Sequence, residues 1–265
     1  MAIRIRMGTA IADLVAPKMD IASGGGGGGE GQSPAQLLNL LTWLSPAFPV
    51  GGFAWSHGLE TAIREGQVGD RATLVNWIAT LVDSASGWND LVLFREAYAA
   101  ARSNDGEHLE AVAELAVALA GTAERRAETL ALGAAFAAAS APWLTDGAEN
   151  SPEGASEPDD PLLPAPAIAY PVAVARLSAL NGIAPGDALL AYANGFAANL
   201  VSVAVRLVPL GQSDGVRALK ALEPVLIAAA EGAAHSTLDD LGSAGLTSDI
   251  AAMRHETLQP RLFRS

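Results

Sequence analysis

From Ser33 nearly to the end of the chain, apolar residues recur at three- and four-residue spacing, and no convincing run alternates apolar with polar. That periodicity places side chains on one face of a helix, whereas a half-buried strand needs a period of two. Half of the 265 residues are hydrophobic but 5% are aromatic, so alanine and leucine carry much of the apolar character. Alanine loses no side-chain entropy in a helix, and its short side chain lets helix axes approach closely. The expected fold is all-α: a single-domain helical bundle of about ten helices.

Punctuation supports this division. Ser33-Pro34-Ala35-Gln36 reads as a helix start, with a capping serine, proline at the first helical position and glutamine three residues after the serine. Leu37, Leu38, Leu40, Leu41 and Leu44 follow on one broad face, until Pro46, Pro49 and Gly51-Gly52 break the helix. Asp70 is placed to cap a helix carrying Leu74, Trp77, Ile78 and Leu81. Further helices are expected over Asp90–Arg102, Asp105–Leu119, Thr122–Ala141, from about Ile168, and over Pro185–Arg206 and Ser213–Glu231. A turn at Thr237–Leu241 and a last helix near Ser248–Glu256 complete the pattern.

Two stretches stand apart. Residues 1–32, ending in the glycine run Gly24–Gly29, read as a disordered tail. Residues 145–166 hold six acidic residues, no basic ones and five prolines, and read as a solvated loop inside the helical domain 33–256. Residues 257–265 form a C-terminal tail. The uncharged run Ala188–Val205 approaches bilayer length, but its Asn194, Asn199 and Ser202 and the lack of a comparable second span favour a buried core helix. The first residues, with Arg4, Arg6 and Asp13 close together, lack the uninterrupted apolar region expected of a secretory signal.

Composition excludes several function classes. A formal net charge of −13 argues against a nucleic-acid surface, which needs basic residues to neutralise phosphates. The absence of cysteine removes disulfides, thiolate metal sites and cysteine nucleophiles, and suits the cytoplasm. Neither Lys18 nor Lys220 sits in a phosphate-binding loop. The histidines His57, His108, His235 and His255 are scattered, so no cofactor and no metal site is expected. His57 and Glu60 are spaced to share a helix face, either as weak ligands of a divalent ion or as packing and interface residues. Ser56-His57 lacks the geometry of a hydrolytic pair, and no catalytic residue is assigned.

Three segments are too specific for an anonymous bundle. The first, Trp43–Glu60, crowds aromatics around a proline-glycine turn that includes Phe48, Pro49, Gly51, Gly52, Phe53, Ser56 and His57. It reads either as a packed corner or as a partner-facing surface. The second, Arg206–Gln212, places an arginine at the negative end of a helix before proline and glycine stop it. The third, Ser248–Ser265, is locally basic in an acidic protein, with three arginines against one glutamate after Ile250, and ends with Leu262-Phe263. Arginine beside an aromatic is the composition of an interface hot spot. A frayed end is the alternative.

In this order the three segments resemble the nickel-urease accessory protein F family (UreF). Tyr170-Pro171, Asn199-Leu200-Val201-Ser202, Leu238-Asp239-Asp240-Leu241, and Arg254-His255-Glu256 followed by Arg261–Ser265 extend the likeness from about Leu37 to Ser265. The resemblance implies a non-enzymatic all-helical homodimer that joins the D-type (H-type) urease accessory protein and the nickel-carrying GTPase. That assembly engages urease apoprotein and supports GTP-dependent nickel delivery. It also implies that Arg254, His255, Glu256, Arg261, Leu262, Phe263 and Arg264 dock the D-type partner, in a segment that becomes ordered on binding. The chain departs from the family at Val216 and at Leu258-Gln259-Pro260, and Pro260 favours extended over helical docking. Two other roles compete with a scaffold: a nickel carrier using His57 or His255, and a GTPase activator inserting Arg254 or Arg264. The tail is expected to contribute nothing to the core.

Overall fold

A computed structural model describes residues 33–145 and 168–265, which form one all-α domain with no strand among the described residues. The expected glycine-rich tail and all but the first residue of the expected acidic loop lie outside the described residues.

The sequence punctuation operates as read. Ser33 caps α1 (Pro34–Trp43): its side chain accepts from the amide of Gln36, whose side chain reaches back to the Ser33 amide. Asp70 caps α3 (Arg71–Ser84), following α2 (Leu59–Arg64), through the same reciprocal arrangement with Thr73. Next come α4 (Ser86–Ser103), α5 (Gly106–Ala118), α6 (Ala123–Ala139), the single turn α7 (Pro142–Thr145) and α8 (Tyr170–Leu180). The long pair α9 (Pro185–Leu207) and α10 (Gln212–Ala234) precedes a 3₁₀ turn at Leu238–Asp240 and α11 (Leu246–His255).

Helix α4 is the hub, packing against α3, α5, α8, α9 and α10. Its Leu91, Leu93, Phe94, Ala97 and Ala100 are buried. Close approach of helices to backbone depends on small residues: a Cβ at Gly133 of α6 would collide with the Ile168 carbonyl oxygen, 2.0 Å away. Among the described residues α9 alone is long and apolar enough to cross a bilayer. Half of that window is buried inside the fold, with Ala188, Leu189, Ala197 and Leu200 against its neighbours. It is a core helix.

The leucine face of α1 differs from expectation. Leu40 and Trp43 point into the core, while Leu37, Leu38 and Leu41 are 51%, 63% and 62% exposed. The five leucines span a wider arc than one helix contact covers, so they divide into a buried strip and an uncovered one.

Candidate functional site

The corner after α1 is built on three left-handed residues. Gly51 (φ 75°) opens a 3₁₀ turn over Gly52–Ala54, and His57 (φ 57°) and Gly58 (φ 76°) turn the chain into α2. Gly58 serves a second purpose: a Cβ there would lie 2.9 Å from the Ala252 amide nitrogen, so its absence lets α2 seat on α11. Phe48, Trp55, Ser56, His57 and Glu60 are buried, whereas Phe53 is 68% exposed. The corner is thus a packed interior with one outward aromatic, Phe53.

The C-terminal tail closes over this corner. Where α11 ends, the Arg254 guanidinium pairs with Glu65 at 3.0 Å. Glu256 accepts from the Ala123 amide at the start of α6, at 2.9 Å. His255 is fully buried between two carboxylates, with Nδ1 2.7 Å from Glu124 and Nε2 3.3 Å from Glu60. Arg261 pairs with Glu124. The amides of Leu262 and Phe263 both donate to the Glu60 carboxylate at 2.9–3.1 Å. The Arg264 amide donates to the Ala54 carbonyl at 2.9 Å, and the Ser56 amide donates to the Ser265 carbonyl at the same distance. The Ser56 hydroxyl bonds that carbonyl as well.

Neighbouring tail residues face opposite ways, as in any extended segment. Phe263 is buried, with the Arg206 guanidinium 4.6 Å from its ring centroid. Arg206 also donates to the carbonyls of Ser202 and Phe53, so it joins the end of α9 to both corner and tail. Leu262 is 75% exposed, and the Arg264 guanidinium lies 5.6 Å from the Trp55 ring centroid. This corrects the expectation that the tail adds nothing to the core: Phe263 and Ser265 are core residues, while Leu262 faces outward. The cause is the Glu60 carboxylate and the backbone groups of the corner. They offer the tail hydrogen-bond partners 202–209 residues away in sequence.

Beneath the tail lies a polar cluster that spacing alone did not reveal. The Ser265 hydroxyl donates to Glu128 at 2.8 Å and accepts from the His57 amide at 3.1 Å. Arg125 binds Glu128 at 2.5 Å and also meets Nδ1 of His57. Burial would raise the Glu128 pKa, but the charge of Arg125 overrides it and holds the carboxyl at about 2. Burial, aided by Arg125, lowers His57 to about 4, so its ring is neutral at pH 7. Asp90, accepting from the Tyr192 hydroxyl at 3.1 Å, is pushed up by burial to about 6. Two cavities of about 170 Å³ each flank this cluster, and His57, Asp90 and Arg125 line both.

His57 Nε2 lies 2.7 Å from the Ser86 hydroxyl and Nδ1 lies 3.5 Å from Glu128, distances that invite comparison with a serine-histidine-carboxylate triad. The hydrogen-bond inventory opposes it. The Arg125 guanidinium, which can only donate, sits at Nδ1 where a triad holds its carboxylate alone, and it pairs with Glu128 itself. His57 and Glu60 do not share a helix face either: His57 precedes α2 and turns towards α4 and α6, while Glu60 turns to the tail. Among the described residues no three His, Asp or Glu side chains are grouped to hold a metal ion.

The chain is similar to known proteins over most of its length. The UreF family model matches residues 68–223. A urease accessory protein UreF of Mesorhizobium japonicum is 49% identical over 234 residues, covering 88% of this chain and 98% of the relative. One of Rhizobium leguminosarum bv. viciae is 46% identical, covering 86% and 96%. The urease accessory protein UreF 1 of Brucella suis biovar 1 is 45% identical, covering 86% and 94%. With a family model over residues 68–223 and relatives 46–49% identical across 86–88% of its length, the chain belongs to the UreF family of urease accessory proteins.

Proposed function

We propose that this protein is a non-catalytic cytoplasmic scaffold in urease maturation. It binds the D-type (H-type) accessory protein through the tail-and-corner surface and brings it to the nickel-carrying GTPase. The joined assembly then engages urease apoprotein and delivers nickel as cargo in a GTP-dependent step. The observation that carries this reading is the surface itself. Leu262 and Phe53 are 75% and 68% exposed, and Arg206, Arg261 and Arg264 lie along the same tail and corner of a chain with net charge −13. Large apolar side chains held in water beside arginines have the composition of an interface centre. The arginines steer encounter with an acidic partner surface and add less to final affinity.

The competing roles find less support. Arg254 is paired with Glu65, and Arg264 lies near the Trp55 ring, so neither is held out as an inserted finger. His57 and His255 are enclosed by Arg125 and by carboxylates respectively, rather than converging with other ligands on an ion. A homodimer is part of the proposal, and the uncovered Leu37, Leu38 and Leu41 strip supports it as an apolar face in need of cover. Calorimetric titration with the D-type partner tests the docking role. Leu262→Ala should weaken binding on the order of tenfold or more, since burying one leucine contributes about 1.5–3 kcal/mol. Unchanged affinity would move the docking site elsewhere.

A further inference from the structure

We propose that Glu60 is a positioning residue for the docking surface: it grips the backbone of the tail and fixes which tail side chains a partner meets. The proposal rests on the tail-docking reading above and extends it to a buried residue that touches no partner.

The geometry is specific. Glu60 is fully buried, and every group the structure places against its carboxylate is a donor. Oε1 receives the Leu262 amide at 3.0 Å and the Arg64 guanidinium at 2.7 Å. Oε2 receives the Leu262 amide at 3.1 Å, the Phe263 amide at 2.9 Å and His255 Nε2 at 3.3 Å. Hydrogen bonds to an ionised acceptor are about twice as strong as neutral ones. Burial works against the charge, but the two amides, His255 and Arg64 together keep the Glu60 pKa below the ordinary carboxylate value.

Gripping two successive amides does more than hold the tail down. It sets the rotation of the strand-like segment about its own axis, and the period of two then sends Phe263 inward and Leu262 outward. A one-residue slip would bury Leu262 and expose Phe263, and would also separate Arg264 from Ala54 and Ser265 from Ser56. A preformed segment binds more tightly than a free one because the ordering cost is already met. When the competent form is a fraction of the population, apparent affinity falls by that fraction.

Glu60→Gln is the test, being near-isosteric while turning one acceptor into a donor that faces other donors. Two readouts are needed in the full chain: hydrogen exchange at the Leu262 and Phe263 amides, and affinity for the D-type accessory protein. Exchange at both amides should rise by about tenfold or more, with a comparable loss of affinity. In a Phe263→Ala background, where the tail is already loosened, Glu60→Gln should remove little further affinity. Unchanged tail exchange, or an equal loss of affinity in both backgrounds, overturns the proposal. Leu262→Ala separates it from the docking reading. If Leu262→Ala loses affinity and Glu60→Gln does not, Glu60 does not position the surface. If both keep full affinity while tail exchange rises, the docking reading fails and the grip on the tail stands. Should Glu60→Gln not fold, Glu60→Asp keeps the charge with a shorter reach. It should still raise exchange at the two amides, and wild-type exchange there overturns the idea.

Discussion

Adjacent residues of the tail should respond to truncation in opposite ways. Phe263 is 6% exposed and lies under Arg206, so Phe263→Ala removes a packed ring and an ion contact together. Buried Phe→Ala changes cost about 3–5 kcal/mol, and the lower end applies because a tail relaxes into the space more readily than a helix. A partly desolvated cation–π contact adds about 0.5–1 kcal/mol to the loss. The expected destabilisation is roughly 3.5–4 kcal/mol. For a domain of this size that is about 7–16 °C in melting temperature. Leu262→Ala removes a side chain that is 75% exposed and should leave stability within about 0.5 kcal/mol. Urea unfolding followed by far-UV circular dichroism, fitted with a common slope, separates the two. A Phe263→Ala midpoint equal to wild type would show that the tail does not belong to the folded core. A large loss for Leu262→Ala would show that its outward orientation is wrong.

Asp90 gives a pH-dependent prediction. Its folded pKa of about 6 exceeds the reference 3.8, so the folded state holds this proton more tightly, and that contribution is lost as pH rises from 3.8 through 6. Asp90→Asn keeps an acceptor for Tyr192 and should be more stable than wild type at pH 8, by roughly 2–3 kcal/mol. The gap should shrink as pH falls towards 4, in urea titrations at each pH. Gly58→Ala combines a left-handed φ of 76° with a Cβ 2.9 Å from the Ala252 amide nitrogen. It should cost about 2 kcal/mol or more, seen as a lower melting temperature with faster amide exchange concentrated in α11.

Local chemistry made much of the fold legible. The caps at Ser33 and Asp70, the prolines opening α1 and α9, and the periodic runs between them placed most of the longer helices to within a few residues, while the short α2 and α7 carried too little pattern to be read. The divided leucine face of α1 was not legible, because which strip is covered depends on tertiary neighbours such as Trp143, against which Trp43 packs. Which aromatics of the corner are inside was not legible either, since Phe53 faces outward from a segment whose Phe48 and Trp55 are buried. The deeper cluster of Arg125, Glu128, His57 and Asp90 was missed for a different reason. Each residue sits on a separate stretch or an ordinary helix turn, and their charges read as solvated until the tertiary contacts bring them together. Glu60 was noted for its spacing from His57, a local relation, whereas apart from Arg64 its carboxylate partners are 195–203 residues distant.

That distance has a consequence for the order in which the molecule can be assembled. A pairing between Ala54–Glu60 and Leu262–Ser265 forms late, since closing so long a loop gains nothing until the helices between them have collapsed and brought α2 and α11 together. A chain stalled with α9 or α10 unpacked cannot hold Phe263 under Arg206, because that arginine is carried by the end of α9. The outward face of the tail is therefore set only once the whole domain has folded. Under the docking proposed above, a partner that meets Leu262 in that setting would read the state of the whole domain through four residues and pass over copies that have not completed it.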